Sequence, residues 1–128
     1  MWTELIENPK AITAIFSAIP SLDQVQLLRI TLSRDGPTVD LAIALNEYPE
    51  NPSPRWEKSQ SNAVVLEIQL MGISALSIEG WSLDNVVTLK LERRESGQLQ
   101  LEAIDSTLRF KCNFGWLRIT GVTPYHRV

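Results

Sequence analysis

The chain has 128 residues and a mass of 14.4 kDa, enough for one ordinary domain and too few for two independent cores. Hydrophobic residues at 44% and charged residues at 21% stand near globular averages, which excludes disorder, collagen-like repeats and coiled-coil composition. A net charge of -3 lacks the basic excess that phosphate neutralisation needs, so the expected partner is a basic protein surface and not nucleic acid.

The start, Met1-Trp2-Thr3-Glu4-Leu5-Ile6-Glu7, has carboxylates where a signal peptide carries Lys or Arg, and no apolar run reaches membrane-spanning length. A cytoplasmic setting without a membrane partner is expected. The single cysteine, Cys112, cannot close an internal disulfide and suits a reducing compartment. From Asn8 to Ile19, the residues Ile12, Ile15, Phe16 and Ile19 recur at helical spacing and predict one amphipathic helix. Asn8 reads as its N-cap, Pro9 as its first residue and Pro20 as its stop.

From Val25 the period falls to two. Leu28, Ile30 and Leu32 predict one strand, and Val39, Leu41, Ile43 and Leu45 a second, with a hairpin turn at Arg34-Asp35-Gly36-Pro37 between them. The stretch from Glu47 to Pro54 holds three prolines, Pro49, Pro52 and Pro54, and reads as a stiff surface loop. Four further alternating runs begin at Val64, Val87, Leu99 and Leu108, while Leu76 with Ile78 and Leu117 with Ile119 suggest two short strands. Glu95-Ser96-Gly97 and the stretch Ala103 to Thr107 look like hairpin connections. The expected fold is α+β: a mainly antiparallel sheet of six to eight strands with one N-terminal helix packed on it, a single domain over residues 1–128.

A reaction centre is hard to assemble from this inventory. His126, the only histidine, lies near the C-terminus where a preorganised site is hard to hold. Cys112 is in phase with Leu108, Phe110 and Phe114, as a small buried hydrophobe would be. The glycines are scattered and none heads a phosphate loop. Carboxylate pairs such as Asp40 with Glu47, or Glu79 with Asp84, suit a wet sheet face as well as they suit acid–base chemistry. No enzyme activity, metal or cofactor is expected.

Aromatic residues say more. Trp81 and Trp116 are expected to plug the ends of the sheet core. Trp56 follows the proline-rich loop, where it joins Tyr48 and the carboxylates of Glu47, Glu50 and Glu57 in a candidate acidic, aromatic partner-binding patch. The competing surface is the polar sheet face that carries Lys90, Glu92, Arg94, Gln98, Gln100, Glu102, Arg109 and Lys111.

Several segments, taken in order, resemble the immunity protein 50 family of bacterial polymorphic toxin systems. They are Asn8-Pro9, Leu32-Ser33-Arg34-Asp35-Gly36-Pro37-Thr38, Pro54-Arg55-Trp56, Leu76-Ser77-Ile78-Glu79-Gly80-Trp81, Phe110-Lys111-Cys112 and Gly121-Val122-Thr123-Pro124-Tyr125. The resemblance runs nearly end to end and implies a non-enzymatic cytoplasmic antidote that binds a cognate toxin domain. A different class stays open from the residues alone: an antiparallel β carrier with a small ligand in a hollow lined by the alternating apolar residues.

Overall fold

Alternation of apolar and polar side chains places one row of most strands in the core and the other towards water, and turn residues between the strands reverse the chain. A computed structural model describes residues 2–52, 54–58 and 61–125. Its strands are β1 (Val25–Ser33), β2 (Thr38–Ala44), β3 (Ala63–Met71), β4 (Ala75–Glu79), β5 (Val86–Arg93), β6 (Leu99–Ile104), β7 (Arg109–Phe114) and β8 (Trp116–Tyr125). They form one eight-stranded sheet in the order β4-β7-β6-β5-β1-β2-β3-β8, with every pair antiparallel.

Two three-stranded meanders, β1-β2-β3 and β5-β6-β7, meet where β1 and β5 pair at Val25 with Val87 and Gln26 with Val86. Each takes its fourth strand from the chain that leaves the other: β4 follows β3 but pairs with β7, and β8 follows β7 but pairs with β3. The inward rows are Val39, Leu41 and Ile43 on β2, Val64, Leu66, Ile68 and Leu70 on β3, Leu99 and Leu101 on β6, and Phe110, Cys112 and Phe114 on β7. All are buried in a single cluster. Each such side chain contributes about 1.5–3 kcal/mol of burial free energy, set against the entropy of ordering the chain.

The turn between β1 and β2 is the one the sequence predicts, with Gly36 at φ +118°, a region that only glycine occupies freely. Within β1, a bulge between Leu27 and Arg29 shifts the register. Leu28 therefore leaves the expected row and is exposed, while Leu27 takes its place in the core.

The N-terminal helix is much shorter than expected. A 3₁₀ turn covers Trp2–Leu5, and α1 is the four residues Lys10–Thr13. Ile12 and Phe16 are buried as the stripe predicts, and Ile15 packs partly against the same cluster. The β-branched Ile12, Thr13, Ile15 and Ile19 lower helix propensity, and tertiary bonds take over at both ends. Asn8 is not the N-cap; Pro9 is, and it makes no side-chain cap. The Asn8 amide instead lies against the open edge of β8, where Nδ2 donates to the Ile119 carbonyl at 2.8 Å and Oδ1 accepts the Ile119 N–H at 2.9 Å. The Glu7 N–H donates to the Leu117 carbonyl beside it at 2.8 Å.

A second helix, α2 (Pro54–Lys58), follows the loop where the sequence predicts no helix. Pro54 is its first residue, a position that tolerates proline because the missing N–H has no helical partner there. No helix among the described residues is long and apolar enough to cross a membrane.

Candidate functional site

Four of the five residues expected to form the acidic patch are brought into one region, although most of them already hold the fold together. The Glu47 carboxylate accepts the Ser21 N–H at 2.6 Å, and the Glu50 carboxylate accepts the Ser17 N–H at 2.6 Å. Both glutamates are exposed, yet they fasten the N-terminal segment to the loop after β2. The Ser17 bond holds the Glu50 carboxyl below its ordinary pKa. Tyr48 and Trp56 are half-buried against the core cluster with ring centroids 6.2 Å apart. The Tyr48 hydroxyl shares a hydrogen bond with the Ser61 hydroxyl, which also donates to the Trp56 carbonyl. Glu57 falls within α2, and its side chain lies outside the described part.

The competing sheet face is laced across its strands. Lys90 stands opposite Glu102, and Glu102 opposite Lys111. Gln100 is buried and donates to Asn113 Oδ1 at 2.9 Å.

A third surface was not singled out by the sequence. Every residue from Ser74 to Asp84 is exposed, the run that covers β4 and the turn after it. Gly80, at φ +82°, passes so close to the Thr107 carbonyl that a Cβ would overlap it. That close approach turns the chain under the β6–β7 connection. Asp105 fixes this connection by accepting the Leu108 and Thr107 N–H groups, the first cause of its lowered carboxyl pKa being the Leu108 bond.

Beyond Gly80 the turn is braced from inside. Asn85 is 2% exposed; its Oδ1 accepts the Ser82 N–H at 3.0 Å and its Nδ2 donates to the Ser82 carbonyl at 2.7 Å. The Asn85 carbonyl in turn accepts the Leu27 N–H, which ties the turn to β1. Held in this frame, Trp81 is 48% exposed and Leu83 98% exposed. With Gln26, Leu27 and Leu28 they border a cleft of about 490 Å³ that contains no charged side chain.

Trp81 and Trp116 therefore do not plug the core as expected. Trp81 is carried outward by the Gly80 turn, and Trp116 lies over the backbone of Gly72 with most of its surface in water. Large rings suit both positions because one face rests on protein while the other stays wet. The sequence signal for Leu83 was slight: one apolar residue between Ser82 and Asp84, out of phase with any strand.

Cys112 is buried in the core as predicted, and burial pushes its thiol up to about 11. His126 lies outside the described residues. Among the described residues, no three His, Cys, Asp or Glu side chains gather as metal ligands would.

Fold and surface together define an antiparallel β domain that presents exposed apolar side chains on a braced turn. The chain belongs to the immunity protein 50 family, whose model matches residues 8–125. No curated protein and no solved structure matches it.

Proposed function

We propose that the protein neutralises a polymorphic toxin domain by binding it in the cytoplasm, with no reaction of its own. Family membership supports an immunity role, and one observation supports a binding mode: Trp81 and Leu83 are exposed on a turn whose shape the buried Asn85 already sets. A turn ordered before contact avoids the ordering cost of association, and tryptophan at the centre of an interface is a frequent energetic hot spot. A standard interface takes about 800 Å² from each partner, roughly a tenth of the 7469 Å² surface.

The segment from Glu47 to Glu57 is the second proposed contact. Glu47 and Glu50 are exposed while engaged in backbone bonds, so their negative charge is held in fixed positions where it steers a basic partner. A small-ligand carrier has less support, because the inward-facing Leu41, Leu66, Leu101, Phe110 and Phe114 fill the space that a hollow would need.

The test is to look beside the gene for a reading frame with a toxin-like C-terminal domain, co-express that domain with this protein, and titrate the purified pair by calorimetry. Protection and a one-to-one complex are the expected results. A folded protein that neither protects cells nor binds that domain overturns the proposal.

A further inference from the structure

We infer that two copies of this chain associate edge to edge through β4, antiparallel about Ser77. The inference is independent of the toxin-binding proposal.

Among the described residues β4 has β7 as its one strand partner, so alternate peptide groups along its other side point away from the sheet, unpaired by any strand. The two ends of the sheet are treated differently. At the first half of β8 the Glu7 N–H and the Asn8 amide occupy the Leu117 carbonyl and both backbone groups of Ile119. At β4 the run Ala75-Leu76-Ser77-Ile78 has no charge and no proline, the one charged residue of the strand being Glu79 at its end, and the register with β7 runs without a bulge. Those are the devices by which sheet proteins ordinarily block strand addition.

A self-complementary register favours a second copy as the occupant. A two-fold axis through Ser77 sets Leu76 of one copy opposite Ile78 of the other, twice, with Ser77 opposite Ser77 and Ala75 opposite Glu79. No like charges meet. Leu76 and Ile78 pair with Cys112 and Phe110 on β7 and so share their inward face. At 38% and 39% exposed they are half-covered by their own sheet, and a second β4 extends the same apolar layer over them. Directly opposed apolar residues are the stabilising unit of an antiparallel pair. Five residues span about 17 Å, short of a standard interface, so the association is weak and reversible.

Sedimentation equilibrium on the full chain is expected to show a mass that rises with concentration from 14.4 kDa toward twice that value. Leu76→Lys and Ile78→Lys, each made separately, should hold the protein at the monomer mass while its circular dichroism is unchanged. Leu83→Lys, on a side chain that borders the cleft beside Leu27 and Leu28 of β1, should leave association intact. In a sample mixed from two isotope labels, methyl contacts between Leu76 and Ile78 of different copies should appear; this measurement needs no variant. A chain that stays monomeric at millimolar concentration overturns the inference, even if the toxin domain is then found to add a strand to β4. So does a dimer that is indifferent to both lysines, one abolished by Leu83→Lys, or one without those methyl contacts.

Discussion

The loop after β2 and the turn after β4 each carry a tryptophan among acidic and turn-forming residues, and the fold uses them in opposite ways. In the first, Glu47 and Glu50 reach back to the Ser21 and Ser17 N–H groups, and Trp56 leans on Tyr48 and the core. In the second, Asn85 spends its side chain on the turn itself, and Trp81 and Leu83 are left in water. Polar groups in the first region therefore hold the N-terminal segment in place. In the second they hold a surface ready. Composition alone does not separate the two, because what decides is whether a polar side chain bonds outside its own loop or within it.

The largest expected effect tests the inward region. Phe16, a buried residue of the N-terminal segment that Glu47 and Glu50 fasten, should cost about 3–5 kcal/mol when changed to Ala, read as a shift of the urea midpoint. An unchanged midpoint would mean that the N-terminal segment is not docked. Next, Trp81→Ala should weaken toxin binding by about 2 kcal/mol or more with no loss of thermal stability. Trp56→Ala provides the contrast: its main effect should fall on stability, since the ring packs on the core cluster. If calorimetry instead assigns the large affinity loss to Trp56, the acidic segment is the principal contact.

A smaller effect is expected at the brace. Asn85→Ala removes the acceptor of the Ser82 N–H and should cost about 1–3 kcal/mol. It should also slow association with the toxin, because the turn must then be ordered on binding. Hydrogen exchange at Ser82 to Asn85 should rise in this variant.

The smallest effect depends on pH. Glu50 has a folded pKa below its ordinary 4.5, so its contribution to stability is fully present above that value and is lost as pH falls through the lowered folded value. Wild type should therefore lose stability on acidification below pH 4.5 more steeply than Glu50→Gln does. Identical acid profiles would show that the Ser17 bond does not persist in solution.

Much of the sheet was legible because its evidence is local. Strand alternation and the Asp35-Gly36-Pro37 turn depend on near neighbours, and the period of two survives whichever strands pair. Cys112 was placed correctly for the same reason, by its phase with Phe110 and Phe114. What failed depended on distant partners. Asn8 has the chemistry of an N-cap, but the edge of β8, more than a hundred residues away, competes for its amide and wins. Trp81 follows a glycine, and nothing within the sequence says that Gly80 must clear the Thr107 carbonyl and so swing the ring outward. Leu28 left its predicted row because a bulge adds a residue to β1 without marking the sequence. The acidic segment was found as a cluster, whereas its bonds to Ser17 and Ser21 belong to the tertiary fold.

The reciprocal placement of β4 and β8 has a consequence for how the molecule folds. Each meander can form from neighbouring hairpins, but β4 must cross to β7 and β8 must cross to β3 before either half has its fourth strand. Pairings between strands so far apart in the chain close large loops, which slows folding relative to helical domains of this length. The same exchange makes the halves mutually dependent: opening one removes an edge strand from the other. Unfolding is therefore expected to be a single cooperative transition in which neither meander outlives its neighbour.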